Sequence, residues 1–399
     1  MPAGRSAPLY GLQGNRAGGK SLAAIGTPAF SAEPPLVPGI PSGPGAAPHP
    51  VLAPPGAQSR PLARSNTIGT MRVVSLVPSA TEIVALLGAS EWLVGRSHEC
   101  DHPPSVHAVP LLTEGKVSLG SGGLSSSGQV DRAVSAALDA GESLYRLDER
   151  RLQELKPDLI ITQDLCSVCS IDAGSVARAA ARLGPGTRIL SLNPTSFEAV
   201  LDDIVRVGEA LGLRERAITE MVRLRERFYH AADFVNPFTD PVPLLMLEWT
   251  DPPFVAGHWC AQLIERAGCL SLLNPTTPME GAGSGAGGQM AHRIAGPSRR
   301  VTPDEIVAAS PRAIIICPCG LNLAQTRREY LTLAAQPWWE GLPAACNPPG
   351  SGRGVMLVDG NQMFSRPGPR LVDAYRWLVG WLHGVPELMP EGFPAEPAQ

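Results

Sequence analysis

The stretch Arg214 to Asp233, RERAITEMVRLRERFYHAAD, decides how the rest of the chain is read. Apolar residues recur at Ile218, Met221, Val222, Leu224 and Phe228 among charges. That spacing predicts an amphipathic helix. At ~1.5 Å per residue it spans about 30 Å, enough to bridge two bodies. Just before it, Thr195 and Glu198 predict a capping box, with a helix running on to Leu211 and broken at Gly212.

The chain alternates on both sides of this segment. Upstream, Val73 to Val77, Trp92 to Arg96, Asp158 to Thr162 and Arg188 to Leu192 read as strands. Between them lie a helix opened by a Ser79/Glu82 capping box and stopped by Gly88, then Val130 to Leu138, Asp148 to Leu155 and Ala173 to Leu183. Leu119 to Gln129 reads as a Gly/Ser loop. Downstream, Val242 to Glu248, Ala313 to Cys317 and Val355 to Val358 are strands. Cys260 to Ala267, Val301 to Ala309 after a Thr302/Glu305 box, Arg327 to Ala335 and Arg370 to Leu382 are helices. Such alternation predicts two small α/β lobes. The expected boundaries are 71–195 for the first lobe, 196–233 for the linking helices and 234–388 for the second lobe, with a flexible Gly-rich insertion at 274–298 and a tail at 389–399.

One loop stands out for function. Val242 to Leu247 feeds Glu248-Trp-Thr-Asp-Pro-Pro-Phe-Val-Ala-Gly-His-Trp259. Ligands of open α/β sheets gather at strand carboxyl ends. This loop offers flat apolar faces and one imidazole, which suits a large flat ligand carrying a ligatable metal.

Composition bounds the function. A net charge of -4, with 18% charged residues, implies no polyanion-binding field and no nucleic-acid partner. No stretch approaches the roughly 20 apolar residues of a membrane span. Residues 1–70 are rich in Pro, Gly, Ala and Ser, with Glu33 the one acid against Arg5, Arg16, Lys20, Arg60 and Arg64. That reads as a disordered extension or an organelle transit peptide. No short apolar core follows a basic start, so no secretory signal is expected. Eight cysteines without long-range pairing signals suggest reduced thiols. The address predicted from these features is intracellular: chloroplast or mitochondrion if the extension is a transit peptide, otherwise cytoplasm.

Several motifs together resemble a known family. They are VSLVPSATE (Val74 to Glu82), LKPDLIIT (Leu155 to Thr162), DPPFVAG (Asp251 to Gly257), Val301 to Pro311, and FSRPGPR (Phe364 to Arg370). From Arg72 to about Glu387 the chain resembles the periplasmic-binding-protein-like proteins for vitamin B12 and iron-siderophores, the helical-backbone substrate-binding proteins of ABC importers. SHECD (Ser97 to Asp101), TQDLCSVC (Thr162 to Cys169) and FVAGHW (Phe254 to Trp259) make it similar above all to a "cobalamin-binding protein" branch that often lacks an export signal. Unlike better-known B12 binders, it has Met363 where they place an aromatic.

The resemblance implies two three-layer α/β lobes joined by one long backbone helix (class III), with ligand clamped between them. It implies a cobalamin-like corrinoid or another metal chelate as ligand and an ABC transporter or cobalamin-handling protein as partner, the protein itself being a monomer. Glu82 is then a docking acid for transporter arginines.

The strand-end loops expected to face the cleft carry Pro78, Ser79, His98, Glu99, Asp101, Gln163 and Asp164 from the first lobe. From the second come Asp251, Phe254, Gly257, His258, Trp259, Phe364, Arg366 and Arg370. His258 suits cobalt coordination through a neutral imidazole, or else is a helix-start histidine bonded to backbone. Phe254 and Trp259 suit stacking on a macrocycle, the alternative being ordinary core. Cys166 and Cys169 read as a half-site for zinc or iron with His98, Cys100 or His258, as a redox pair, or as inert thiols. Arg366 and Arg370 suit carboxylates or phosphates, or else salt bridges to Asp373 or Glu248. The leading reading is therefore a non-catalytic binder of a corrinoid. The alternatives are haem or iron-siderophore binding on the same scaffold, and a metal- or thiol-dependent enzyme using the Cys/His cluster. No Ser/His/Asp, P-loop or HExxH pattern supports the last.

Overall fold

The structure is a computed structural model that describes residues 70–117, 125–164, 173–184, 186–279, 292–347 and 353–398. In chain order the first part comprises β1 (Val73–Ser75), α1 (Pro78–Leu86), β2 (Leu93–Arg96), β3 (Thr113–Gly115), α2 (Ser127–Asp139), β4 (Tyr145–Leu147), α3 (Glu149–Leu155), β5 (Leu159–Thr162), α4 (Ala173–Ala181) and β6 (Arg188–Ser191). Two helices follow, α5 (Phe197–Leu211) and α6 (Arg214–Ala232). The remainder is β7 (Val242–Thr250), β8 (Pro253–Val255), α7 (Trp259–Arg266), β9 (Cys269–Ser271), β10 (Thr277–Pro278), β11 (Arg293–Ile294), β12 (Arg299–Arg300), α8 (Pro303–Ala309), β13 (Ala313–Ile316), α9 (Leu323–Ala334), β14 (Gly354–Val358), α10 (Leu371–His383) and β15 (Ala395–Pro397).

Two sheets organise these elements. The first is parallel, in the order β2-β1-β5-β6. The second runs β12-β8-β7-β13-β14-β15, with β9 also on β7. Its centre, β7-β13-β14, is parallel, and β8 and β15 are antiparallel additions. Short, mostly apolar strands such as Leu159–Thr162 and Ala313–Ile316 are buried on both faces, as parallel sheets require. Side chains alternate between the faces. Val73, Leu159 and Ile161 enter the large central core, while Val74 and Ile160 enter a smaller one on the opposite face. Leu244, Met246 and Ile315 join the same central core, and Leu245, Leu247 and Ile314 fill another. Each lobe is therefore three layers, and one apolar core runs from one lobe into the other.

The joint is α6 with its neighbours. Nineteen residues give it a length of about 28 Å. Its buried stripe is Ala217, Leu224, Phe228 and Ala231. Of the predicted stripe, Leu224 and Phe228 are buried and Met221 packs at the edge, but Val222 is 43% exposed. The periodicity marked the helix correctly, and the narrow contact with α5 and α10 chose which apolar residues were covered. Phe228 stacks between Phe197 of α5 (ring centroids 4.4 Å apart) and Tyr375 of α10 (4.0 Å). The Arg266 guanidinium lies over both phenylalanine rings. Stacked aromatics drawn from three helices make a stiff joint, because each ring is in a rotamer that its neighbours dictate.

The predicted capping boxes divide. Thr302/Glu305 forms. At α5 the cap is Ser196, whose hydroxyl accepts from Ala199 N–H, and Glu198 pairs with Arg266 instead. At α1 no box forms: Val77 is the N-cap, Pro78 opens the helix, and Ser79 and Glu82 are both buried within it. The Pro supplies the helical start that the box was expected to supply. Part of the expected Gly/Ser loop, 118–124, lies outside the described residues, and α2 already begins at Ser127. Within the 274–298 stretch, β10 pairs with β11, and 280–291 lie outside the described residues.

Candidate functional site

The site grows from the loop after β14. Asp359 accepts the Gln362 backbone N–H at 3.0 Å, turning the chain back. Phe364 then takes a positive φ of 58°, which costs a residue with a Cβ about 1–2 kcal/mol. Three donors pin it there. The Phe364 carbonyl accepts Trp259 Nε1–H at 2.7 Å and the Cys260 thiol at 3.6 Å, and the Met363 carbonyl accepts the Cys317 thiol at 3.5 Å. The pinned loop aims Arg366 and Arg370 at the first lobe.

Both guanidiniums cross the seam between the lobes. Arg366, 6% exposed, donates from Nη1 and Nη2 to the two oxygens of Asp101 at 2.5 and 3.0 Å. It also reaches the Glu99 carbonyl at 3.2 Å, Asn361 Oδ1 at 3.2 Å and Glu82 Oε1 at 3.4 Å. Arg370 forks onto Glu82, Nε to Oε2 at 3.0 Å and Nη2 to Oε1 at 2.6 Å, and donates Nη1 to Gln362 at 3.0 Å. Asn361 completes the ring by donating to Asp101 at 2.9 Å. Two acids from one lobe thus meet two arginines from the other in bidentate geometry. Burial alone would raise the Asp101 carboxyl. The hydrogen bonds and charge of Arg366 outweigh it and hold Asp101 below the usual carboxylate range. His102, beside them, is lowered first by burial and then by the Arg370 charge.

These pairings revise two expectations. Glu82 is 4% exposed and bonded across the seam, so it is not presented outward as a docking acid. The arginines pair with Glu82 and Asp101 rather than with Asp373 or Glu248. Asp373 belongs to Arg227 and Arg376.

The other first-lobe positions sit around this ring. Pro78 opens α1, and Ser79 is buried beneath the backbone of Gly368. His98 bonds Thr113 Oγ1 through Nδ1 at 2.8 Å and meets Glu99 through Nε2 at 3.2 Å. Cys100 does not join it: its thiol accepts from Thr81 at 3.0 Å, and burial pushes it up to about 11. Gln163 is buried at the end of β5, while Asp164 is exposed and its backbone N–H donates to Asn193 at 2.7 Å. Cys166 and Cys169 lie outside the described residues. Among the described residues no group of three or more His, Cys, Asp or Glu is placed to hold a metal ion.

In the second lobe the FVAGHW loop divides in role. Phe254 is half-buried in β8, opposite Trp249 and Arg300. Gly257 lies so close to the backbone of Gly296 to Ser298 that an added Cβ would come within 2.4–2.6 Å of it. Glycine is therefore needed here for a backbone contact. Trp259 is 7% exposed and joins the central core, with its indole N–H spent on Phe364. His258 precedes α7 with a positive φ of 49°. Its ring stacks on Trp259 at 5.8 Å, its buried Nδ1 has no hydrogen-bond partner among the described residues, and burial lowers its basicity. Burial therefore favours the neutral imidazole, the form that binds soft and borderline metals.

The sequence predicts a helix at Val130 to Leu138, within α2, but reads the first turn of α2 as loop. That turn enters the second lobe. Ser127 N–H donates to Glu329 Oε1 at 3.3 Å, and the Ser127 hydroxyl bonds Glu329 Oε2. Thr250 of β7 donates to the same oxygen at 3.0 Å. Ser127, Thr250 and Glu329 are all buried. A serine run read as loop and a glutamate on an amphipathic helix carry no sequence signal of such a meeting.

Known proteins place this architecture. No curated protein matches the chain in sequence. A periplasmic heme-binding protein from Pseudomonas aeruginosa matches with a TM-score of 0.57 at 19% identity, covering 82% of this chain and 98% of its own. A protein from Staphylococcus epidermidis described as a possible iron-binding, periplasmic solute-binding protein gives 0.54 at 17%, covering 79% and 99%. A periplasmic vitamin B12-binding protein of Vibrio cholerae gives 0.52 at 17%, covering 78% and 96%. At these identities the likeness shows the fold. The predicted intracellular address, whether organellar or cytoplasmic, is overturned, because the matching family and these structures are of periplasmic proteins. The composition of residues 1–70, on which that address rested, reports only a segment poor in core-forming residues. Matched from residue 73 to residue 348 by the family model for periplasmic binding proteins, the chain belongs to that family.

Proposed function

We propose that the seam between the lobes takes up a flat metal chelate, a cobalamin-like corrinoid, without chemically changing it. The observation that carries this reading is His258: a neutral imidazole with a buried, unpartnered Nδ1 on a strand-end loop. A buried polar atom without a partner costs roughly 1–3 kcal/mol, and an axial bond to cobalt would satisfy it. Phe254, half-exposed on the same loop, offers a face for the macrocycle. Around the rim, His98, Glu99, Asp101, Gln163, Asp164 and Asp251 offer partners for polar side groups. For a guest to enter, the Arg366–Asp101 and Arg370–Glu82 pairs must part, and the freed guanidiniums can then accept carboxylate or phosphate groups of the ligand. The docking partner consistent with the family is an ABC transporter.

The test is a titration of purified protein with hydroxocobalamin, haemin and a ferric siderophore, followed by tryptophan quenching and by the chelate's visible spectrum. Retained hydroxocobalamin with a spectral shift that His258→Ala abolishes supports the reading. Corrinoid that passes through unretained overturns it. Selective retention of haemin or siderophore would move the ligand to the iron-chelate alternative.

A further inference from the structure

The first turn of α2 is held by the opposite lobe. Ser127, Gly128 and Val130 are its buried residues, and nearly everything after them is exposed or half-exposed, with Leu138 at 38%. The C-terminal end returns to the first lobe, where β4 pairs with β3 and Lys116 N–H donates to the Leu144 carbonyl at 2.9 Å. The N-terminal end docks on the second lobe. There the Glu329 carboxylate of α9 accepts the Ser127 N–H, the Ser127 hydroxyl and the Thr250 hydroxyl.

Two further contacts fix the fit. A Cβ on Gly128 would lie 2.1 Å from Asp251 Oδ2, so any larger residue there must push the exposed Asp251 side chain aside, and a bulky one must lift the turn from that loop. Asp131, one turn on, faces Arg300 at 3.9 Å. A carboxylate against a helix N-terminus is favourable because the free N–H groups and the helix dipole both point at it. Among the described residues Glu329 receives its hydrogen bonds from Ser127 and Thr250 and pairs with no cation. It therefore depends on α2 and Thr250 for its solvation, and separating the lobes at this point would strand it.

We propose that the first turn of α2 is an interlobe latch, with Glu329 as its catch and Gly128 as its seat, which holds the two lobes closed. The latch shares no residue with the arginine seam and does not depend on which ligand the cleft takes.

The test needs no ligand. Spin labels are placed on cysteines substituted for the exposed Glu91 and Leu331, one on each lobe, in a Cys346→Ser background, and the distance distribution is measured by pulsed resonance. Hydrogen exchange is followed in parallel. The unaltered latch should give one narrow distance. Gly128→Leu and, more mildly, Glu329→Gln should broaden it toward longer distances and speed exchange of the amides at 127–131 roughly tenfold, with β5 and β13 still protected. If exchange in α2 rises while the distance distribution stays narrow, α2 is only a packed helix and the latch is refuted. If both stay unchanged in both variants, Glu329 and Gly128 do not hold it, and the proposal is equally lost. If β5 and β13 lose protection in Gly128→Leu, the milder Glu329→Gln decides.

Discussion

Replacing Glu82 by glutamine tests the seam most directly. The side chain keeps its shape but loses its charge, and it faces two arginines across the lobes. It gives up two close charge-assisted bonds from Arg370, at 3.0 and 2.6 Å, and a longer one from Arg366 at 3.4 Å. Breaking a buried ion pair from one side costs about 3–5 kcal/mol, because the partner stays buried without its counter-charge. Here the loss is partly offset. Arg366 retains both oxygens of Asp101, Arg370 retains Gln362, and the new amide oxygen still accepts one bond. The expected destabilisation is about 2–4 kcal/mol. Urea unfolding followed by tryptophan fluorescence measures it, and the core continuous between the lobes predicts one cooperative transition. A double-mutant cycle with Arg370→Gln should return a coupling of roughly 2 kcal/mol. A Glu82→Gln protein within about 0.5 kcal/mol of the parent, or a cycle that closes additively, would refute the pairing and the reasoning built on it.

Other consequences follow from the same geometry. Asp203 in α5 is buried, with Oδ2 unpartnered among the described residues, and burial pushes its carboxyl up to about 6 despite Arg206 at 2.6 Å. A folded-state value above the unfolded one means its contribution is full below about pH 4 and is lost as pH rises through about 6. Asp203→Asn should therefore gain on the order of 2–3 kcal/mol at pH 7 relative to pH 4, read from urea midpoints of both proteins at both pH values. Phe228→Ala opens a cavity between Phe197 and Tyr375 and should cost about 3–5 kcal/mol by the same denaturation assay. In native protein a thiol reagent should label exposed Cys346 quickly. Cys100 and Cys269, pushed up to about 11 and about 12 by burial, should react only after unfolding, as should the fully buried Cys260 and Cys317. Peptide mass mapping resolves these sites.

What could be read from the sequence was local and periodic. The 3.6-residue spacing around Leu224 and Phe228 marked the linking helix, and the short apolar runs marked strands buried on both faces, because periodicity is imposed by one element's own geometry. The FVAGHW loop was placed at a strand end for the same reason. Tertiary structure alone decided what each polar side chain does. Glu82 looked like a helix cap, Ser127 like loop, and Glu329 carried no signal at all, yet all three are buried against partners more than 200 residues away in the chain. Trp259 read equally as a stacking surface or as core, and packing placed it in the core with its indole N–H on Phe364. A charge or hydroxyl carries no mark of its distant partner, since pairing strength depends on separation and burial. Both are set only when the lobes close on each other.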